Sequence, residues 1–227
     1  MSVLAPGTIV GGRYRVEREL ARGGHGAVFV AQHTVTEEQV ALKVLWPHIL
    51  SSPSAVERFQ LEASVAARVN SEHIVRVLDA GFDEPLAMPF LVMELLQGKT
   101  LEDMVEQHGP LRPVETVGVL AQVASALDKA HGYRDARGDL RPIIHRDLKP
   151  ENLFLARRES GEPCVKILDF GIAKLLSADA KASQEVRGTP LYIAPEQLTG
   201  SPLGPPTDVW ALGLIAFYLL TGTSYWL

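Results

Sequence analysis

The sequence contains a single cysteine, Cys164, so no disulfide bond can form within the chain. Disulfides are rare in reducing compartments, and the sequence therefore predicts a cytoplasmic protein. Basic side chains are also in deficit, because 22 Lys and Arg residues stand against 27 Asp and Glu residues. The resulting net charge of −5 argues against a surface that binds nucleic acid.

Long apolar runs, targeting segments and internal repeats are absent as well. The longest apolar run, residues 210–220, is too short to span a bilayer and predicts a buried helix. Residues 1–12 lack a basic segment followed by an apolar run, so no signal peptide is predicted. We therefore expect a cytoplasmic chain without a membrane segment, and its 227 residues suffice for one domain of one or two lobes.

The first part of the chain is dominated by segments that are rich in β-branched and apolar residues. These segments predict strands over residues 13–21, 26–33, 37–46, 74–82 and 89–96. A helix is predicted over 52–69, where Ser54 can act as the N-cap. The second part predicts a long helix over 112–131 and an apolar helix from about residue 205 onward. This pattern predicts an α+β fold of a strand-rich and a helical lobe, joined near residues 97–98.

A glycine-rich pattern lies between the first two predicted strands, in the stretch ELARGGHGAVFVA. The template G-x-G-x-x-G-x-V places Ala21, Gly23, Gly26 and Val28 at its defined positions, so alanine replaces the first glycine. Alanine costs nothing at the end of a strand if its φ is negative there. A Rossmann loop would instead open a helix with its third glycine. Taken alone, the pattern is better explained as a simple hairpin turn.

Two further motifs carry groups suited to phosphate chemistry. VALKV places Lys43 in an apolar strand, where its ammonium needs a carboxylate partner such as Glu62 unless it faces solvent at an edge. HRDLKPEN offers the carboxylate of Asp147 to accept a hydroxyl proton and the amide oxygen of Asn152 to bind a metal. Lys149 lies between them as a cation for phosphate charge. These groups meet the requirements of in-line phosphoryl transfer.

A fourth motif, DFG, places Asp169 after a strand-like run and before a glycine. This arrangement suits a Mg²⁺ ligand, although an ordinary β-turn would explain it too. With APE at 194–196, the motifs occur in the order that resembles the eukaryotic-like Ser/Thr protein kinases, and their bacterial branch most of all. The resemblance covers nearly the whole chain. It implies a two-lobed kinase fold with an N-lobe at about 12–96, a hinge at about 94–98 and a C-lobe at about 99–227.

The resemblance implies ATP and Mg²⁺ as cofactors and Ser/Thr hydroxyls of proteins as phosphate acceptors. Asp147 would be the catalytic base, and Lys149 would stabilise the γ-phosphate during transfer. Asn152 and Asp169 would bind Mg²⁺. The lysine two residues after the base is typical of Ser/Thr kinases rather than tyrosine kinases.

The same resemblance implies the ATP-binding residues. Lys43, paired with Glu62, would hold the α- and β-phosphates. Gly23 would lie closest to the phosphates, and Met93 would be the gatekeeper beside the adenine. The full set of implied ATP contacts is Ala21, Gly23, Gly24, Gly26, Val28, Ala41, Lys43, Met93, Glu94, Leu96 and Phe154.

Regulation through the segment between DFG and APE is also implied. Arg146 would bind a phosphorylated residue of that segment, with Ser177 and Ser183 as the candidates. Spacing to the following glycine favours Ser183, and a solvated loop serine remains the open alternative. Thr189 would contact the catalytic base and its neighbouring lysine.

Structural roles are implied for four residues: His145, Phe170, Glu196 and Asp208. His145 is predicted to be a packed side chain rather than an acid or base. Asp208 would brace the backbone of the HRD motif, with an N-cap of the last helix as the alternative. Glu196 would pair with an arginine from a later helix.

Two further features depart from the family pattern. Residues 132–144 form an insertion of mixed charge with two glycines, which predicts an exposed loop. The chain also stops where the family continues with more helices, which would expose an apolar patch of Leu214, Phe217, Tyr218 and Leu220. From this we expect a fragment of a longer protein, or a chain that is unstable or pairs with another surface, including a second copy.

Our leading hypothesis is an ATP- and Mg²⁺-dependent protein Ser/Thr kinase that autophosphorylates in signalling. A truncated, non-catalytic kinase fold that senses nucleotide or serves as an interaction scaffold is the alternative. A small-molecule phosphotransferase of related fold is weakened by HRDLKPEN and APE, which point to a peptide-binding segment.

Overall fold

The structure is a computed structural model that describes residues 3–24, 26–46, 69–158, 161–169 and 191–226. These residues fall into two compact units. The first unit contains the described residues up to 46 together with 76–96, and the second contains 69–75 and everything described from 97 onward. The predicted helix over 52–69 lies outside the described residues apart from its last position.

The described strands of the first unit form an antiparallel sheet in the order β1-β2-β3-β4-β6-β5. The strands are β1 Ile9–Val10, β2 Tyr14–Gly23, β3 Gly26–His33, β4 Gln39–Leu45, β5 Val77–Asp83 and β6 Met88–Glu94. The five strands predicted for this part are confirmed, with small shifts at their ends. β5 begins later than predicted because Ile74 instead pairs with Ile167 in an isolated parallel bridge.

The two faces of this sheet carry different sets of side chains, because successive residues of a strand point to opposite faces. One face packs a hydrophobic core that includes Phe29, Leu42, Val44, Phe90 and Val92. On the other face, Val28 lies opposite both Lys43 and Ala21, and Ala41 lies opposite Met93. The register therefore brings five predicted ATP contacts to the face away from the core.

The described part of the second unit combines a small sheet with helices. In chain order it contains β7 Gly98–Thr100, α1 Leu101–His108, α2 Pro113–His131, a 3-10 turn Pro150–Asn152, β8 Leu153–Arg157, β9 Pro163–Ile167, α3 Pro195–Thr199 and α4 Pro205–Thr221. The three strands pair antiparallel in the order β7-β8-β9. The predicted α2 and α4 are confirmed. The strand-like run predicted before Asp169 corresponds to β9. β7 and β8, of three and five residues, are too short to give a periodic pattern and were not predicted.

Local signals explain where α1 and α2 begin. Thr100 Oγ1 accepts the Asp103 N–H at 3.0 Å, and the Asp103 carboxylate reaches back to the Thr100 N–H at 3.3 Å, which is a capping box. Pro113 begins α2, where its missing N–H costs nothing. One side of α2 is buried at helical spacing and packs against α4: Thr116, Val119, Val123, Ala126, Leu127 and Ala130.

One side of α4 is buried and the other is exposed. The buried stripe contains Thr207, Asp208, Ala211, Ile215, Tyr218 and Leu219. The prediction that Tyr218 is exposed is therefore wrong, because it lies on the stripe that faces the core and is 9% exposed. Phe217 and Leu220 are 37% and 44% exposed, and Leu214 is half-buried. None of the helices in the described ranges is both long and apolar enough to cross a membrane.

The insertion at 132–144 folds into a compact turn. The Asp135 carboxylate accepts the N–H groups of Arg137 at 2.9 Å and Asp139 at 3.1 Å, and Arg134 pairs with Leu140 in an isolated bridge. Residues 136–142 are exposed, so the prediction of an exposed loop is confirmed.

Candidate active site

The predicted base and one predicted metal ligand form a single hydrogen-bonded group in the second unit. Asp147 lies in the loop between α2 and the 3-10 turn, and Asn152 ends that turn. Asn152 Nδ2 donates to the Asp147 carbonyl oxygen at 2.8 Å and lies 3.3 Å from Asp147 Oδ2. Because the amide nitrogen faces Asp147, the amide oxygen of Asn152 is directed away from it.

His145 is fully buried and links this loop to the segment that contains Asp169. Its Nε2 lies 2.8 Å from the Leu168 carbonyl oxygen, which can only accept a hydrogen bond. Nε2 therefore carries the proton, and Nδ1 accepts the Asp147 N–H at 3.3 Å. In this tautomer neither ring nitrogen faces solvent, which suits a packing role rather than proton exchange with a substrate.

The second predicted metal ligand is held close to the first through the backbone. The Leu168 N–H donates to the Asn152 carbonyl oxygen at 2.8 Å, and Asp169 follows directly. Asp169 has a φ of 50°, a left-handed conformation that is uncommon for non-glycine residues and that aspartate adopts more readily than most. A carboxylate and an amide oxygen are hard donors, and Mg²⁺ commonly takes one or two carboxylates together with phosphates and water. The donor set therefore fits a Mg²⁺–nucleotide complex.

Asp208 braces the backbone of the HRD motif from α4. Its buried carboxylate accepts the His145 N–H through Oδ2 and the Arg146 N–H through Oδ1, both at 2.9 Å. His131 Nε2 lies 2.8 Å from the same Oδ2. The alternative that Asp208 is an N-cap is excluded, because Gly204 occupies the N-cap of α4. The bonds hold Arg146 in a left-handed conformation with a φ of 67°.

Two side chains of α3 make contacts that the sequence did not predict. Gln197 Oε1 accepts the Ala194 N–H at 3.1 Å, and Gln197 Nε2 donates to the Arg146 carbonyl oxygen at 2.9 Å. Glu196 Oε1 accepts the Thr207 hydroxyl at 2.7 Å, and not an arginine, within the described ranges. The only sequence signal for Gln197 is its place three residues after the N-cap, where glutamine caps helices.

The glycines of the hairpin in the first unit are of two kinds. A Cβ at Gly26 would lie 2.0 Å from the Val44 carbonyl oxygen, so only glycine fits there. A Cβ at Gly23 or Gly24 would meet nothing within 4 Å. Ala21 is not among the residues with positive φ, so alanine is unstrained, as expected.

Trp46 ties the tip of this hairpin to the end of β4, a contact that the sequence did not predict. Its Nε1 donates to the Gly23 carbonyl oxygen at 3.1 Å. The Arg22 guanidinium lies 6.0 Å from the centre of the indole ring and is bonded to Glu19. Trp46, which directly follows β4, therefore holds the tip of the hairpin in addition to the pairing between β2 and β3.

Of the hinge residues, Met93 continues the face that carries Lys43, whereas Glu94 lies opposite Val40 on the core-facing side of the sheet. Met93 is buried, whereas Glu94 and Leu96 are half-buried. The Glu94 N–H donates to the Arg76 carbonyl oxygen at 3.0 Å, and its carboxylate accepts the Arg76 N–H at 2.8 Å. In the second unit, Phe154 lies half-buried on β8.

Several predicted site residues lie outside the described residues, so their roles stay predictions. They are Glu62, Phe170, Ser177, Ser183 and Thr189.

Glu102 on α1 lies among other carboxylates and is influenced by Lys149 of the catalytic loop. Burial raises the pKa of Glu102 on α1 to about 7, and the negative charges of Glu151, Glu106 and Asp103 add to the shift, whereas Lys149 opposes it. Lys149 Nζ also lies 3.9 Å from Glu151 Oε1. Glu102 therefore changes its charge near neutral pH, beside the loop that carries the predicted base.

This pKa shift predicts a pH-dependent loss of stability. The folded-state pKa of about 7 lies above the ordinary value of 4.5, so between these values the folded chain binds more protons than the unfolded chain. Stability therefore falls as the pH rises through this window. We expect Glu102→Gln to unfold at a higher temperature than the wild type at about pH 8, with the difference shrinking toward about pH 5.

Thermal unfolding followed by circular dichroism across this pH range measures the effect. Glu84→Gln, at an exposed position in the turn after β5, is the matched control and should follow the wild type throughout. A Glu102→Gln difference of the same size at both ends of the range would contradict the assignment.

Comparison with known families finds one match over nearly the whole chain. The family described as the protein kinase domain matches residues 14–227. The chain is 45% identical over 215 residues to the serine/threonine-protein kinase Pkn1 of Myxococcus xanthus, covering 93% of this chain and 29% of the relative. It is 32% identical over 217 residues to the serine/threonine-protein kinase PrkC of Bacillus subtilis, covering 95% of this chain and 31% of the relative. The chain thus spans about a third of the length of these relatives.

A solved structure of similar fold is the kinase domain of PknI from M. tuberculosis. It matches with a TM-score of 0.76 and 31% sequence identity, and the match covers 98% of this chain and 77% of that domain.

Proposed function

The chain belongs to the protein kinase domain family, and on this premise we propose that it is a serine/threonine kinase. It transfers the γ-phosphate of ATP to hydroxyls of protein substrates, its own included, in a reaction that requires Mg²⁺. Its fold is the protein kinase fold, with a β-sheet N-lobe and a helical region. Relatives that are named as kinases favour an enzyme over a nucleotide-sensing scaffold or a small-molecule phosphotransferase.

The pairing of Asp147 with Asn152 is the observation that carries the proposal. General base catalysis needs a carboxylate held in one orientation, and Asn152 Nδ2 holds Asp147 through its carbonyl oxygen at 2.8 Å. The same amide directs its oxygen away from Asp147, which leaves that oxygen to serve as the proposed ligand of a cation. One side chain thus supports both requirements of the reaction.

In the proposed reaction, Asp147 accepts the proton of the substrate hydroxyl as the hydroxyl oxygen bonds to the γ-phosphorus of ATP. The bond from that phosphorus to the β,γ-bridging oxygen breaks at the same time, and ADP leaves. Lys149 lies on the same loop, and its ammonium offsets negative charge on the transferred group. Asn152 and Asp169 would hold the cation through their side-chain oxygens. ATP with Mg²⁺ supplies the activated phosphoryl group and the charge that neutralises it.

The first unit contributes the remaining ATP contacts in this proposal. Lys43 binds the α- and β-phosphates, while Val28, Ala41 and Met93 on the same face of the sheet contact the adenine. The Glu94 N–H is already bonded to Arg76, so Glu94 would offer its carbonyl oxygen to the adenine amino group. Gly23 and Gly24 leave open space that a phosphate can approach.

Regulation by phosphorylation is part of the same proposal. Arg146 is a residue that could bind a phosphate in bidentate fashion, and its backbone is fixed by Asp208. Ser183 and Ser177 are the proposed autophosphorylation sites, with Thr189 contacting the base.

The test is phosphate transfer from ATP labelled at the γ-phosphate, using the purified chain with Mg²⁺ and a mixture of acceptor proteins. Hydrolysis of the labelled protein should release phosphoserine and phosphothreonine, and chelation of the metal should abolish the signal. Absence of transfer, or phosphotyrosine as the sole product, would overturn the proposal.

Trp46→Phe is expected to raise the KM for ATP by a modest factor. The change removes the N–H that holds the Gly23 carbonyl oxygen but keeps an aromatic ring at the site. One hydrogen bond of ordinary strength corresponds to a change of about 2- to 10-fold, so the KM for ATP should rise by that factor while kcat stays within about 2-fold. Initial rates at varied ATP measure both constants. An unchanged KM would show that the contact does not position the hairpin.

A further inference from the structure

We infer that Gln197 is a positioning residue for Asp147, acting through the peptide group that precedes the catalytic base. This inference rests on the proposed function, because it assigns Gln197 to the same reaction. Gln197 lies on α3, three residues after Ala194, and it does not touch the side chains of the reacting groups in any contact described above. Its influence would pass through the backbone of the HRD motif.

The peptide between Arg146 and Asp147 is held at both of its polar ends. Its oxygen accepts from Gln197 Nε2 at 2.9 Å, and its N–H donates to His145 Nδ1 at 3.3 Å. The plane of this peptide determines the direction in which the Asp147 side chain leaves the backbone. A rotation of the peptide would therefore turn the carboxylate away from the substrate hydroxyl.

The unfavourable backbone conformation of Arg146 favours rotation of this peptide group when no contact holds it. Arg146 has a φ of 67°, in the left-handed region that side-chain-bearing residues leave when neighbouring contacts do not maintain it. Asp208 holds the N–H side of Arg146, and Gln197 holds its carbonyl side. The left-handed turn before the base thus depends on one contact from α4 and one from α3.

The amide of Gln197 suits this task in a way that a carboxylate would not. Its oxygen accepts the Ala194 N–H at 3.1 Å, so the nitrogen must face the Arg146 carbonyl oxygen. A carbonyl only accepts, and the contact therefore requires a donor. Glutamate would keep the first bond and lose the second.

The two helices that hold the turn are also bonded to each other. Thr207 in the first turn of α4 donates to Glu196 of α3 at 2.7 Å. A displacement of α3 would therefore reach the catalytic loop both directly through Gln197 and through α4.

Gln197→Glu tests the inference, because it preserves side-chain length and the bond to Ala194. We expect kcat for phosphate transfer to fall about 10-fold at neutral pH, with the KM for ATP within about 2-fold of wild type. Lowering the pH protonates the introduced carboxyl, which can then donate to the Arg146 carbonyl oxygen. The ratio of variant to wild-type kcat should therefore rise as the pH falls.

Gln107→Glu is the matched control, since Gln107 is an exposed glutamine of α1 that accepts a hydrogen bond from Lys99. It introduces the same charge and should keep the wild-type kcat at every pH. If Gln197→Glu does not fold, Gln197→Met serves instead, and it should lower kcat without recovery at low pH.

The outcomes separate this inference from the proposed function. A wild-type kcat in Gln197→Glu or Gln197→Met, or a loss in Gln197→Glu that does not recover at low pH, overturns the positioning role. A wild-type chain that transfers no phosphate overturns the proposed function itself.

Discussion

Replacing Asp147 with asparagine is expected to lower kcat for phosphate transfer by about 10²- to 10⁴-fold, the usual contribution of a general base. An amide cannot take up the hydroxyl proton, but it has the same shape as the carboxylate. The Asn152 bond to the Asp147 carbonyl oxygen uses the backbone and survives the change. Affinity for ATP and the melting temperature should therefore stay close to those of the wild type.

Labelled phosphate transfer gives kcat, and titration with a fluorescent ATP analogue gives the affinity. Asp128→Asn, at an exposed position of α2, is the matched control and should keep full activity. Equal rates in the wild type and Asp147→Asn would refute the assignment of Asp147 as the base.

The largest loss of stability is expected from Asp208→Ala. The change leaves the buried N–H groups of His145 and Arg146 without their acceptor and removes the partner of His131. Breaking such a buried network costs about 3–5 kcal/mol of unfolding free energy. Because Arg146 is then no longer held in its left-handed conformation, kcat should fall as well.

Urea unfolding measures the stability, and transfer assays measure kcat for the folded fraction. Asp208→Asn provides a graded comparison, since its amide keeps one acceptor oxygen but turns an NH₂ group toward one of the two N–H groups. The unfolding free energy of Asp208→Asn should lie between those of the wild type and Asp208→Ala. An unchanged unfolding free energy in Asp208→Ala would contradict the role of Asp208 in holding the backbone of His145 and Arg146.

Short-range spacing made much of the candidate site predictable. Asn152 lies only five residues after Asp147, so their spacing within HRDLKPEN alone brings the two side chains within reach of each other. The strands that follow the glycine-rich pattern were predictable from composition, because β3 and β4 are short runs rich in β-branched and apolar residues, most of which are buried.

Contacts between distant segments were not predictable unless the family resemblance implied them, as it did for Asp208 and the HRD motif. Gln197 and Arg146 are far apart in sequence, and no local pattern shows that α3 meets the catalytic loop. Tyr218 was assigned to the exposed side of α4 because nearly every residue of that helix is apolar, which hides the face that is buried. In each case the deciding information lies in tertiary packing.

The two kinds of glycine in the hairpin change how related sequences should be judged. Loss of the first glycine of this pattern does not by itself indicate an inactive site, because Ala21 has an ordinary backbone conformation. A side chain at Gly26 would instead push against the Val44 carbonyl oxygen and displace the strand that carries Lys43. Among homologues, loss of the third glycine is therefore the better indicator of lost nucleotide binding, and variation at the first is compatible with an active enzyme.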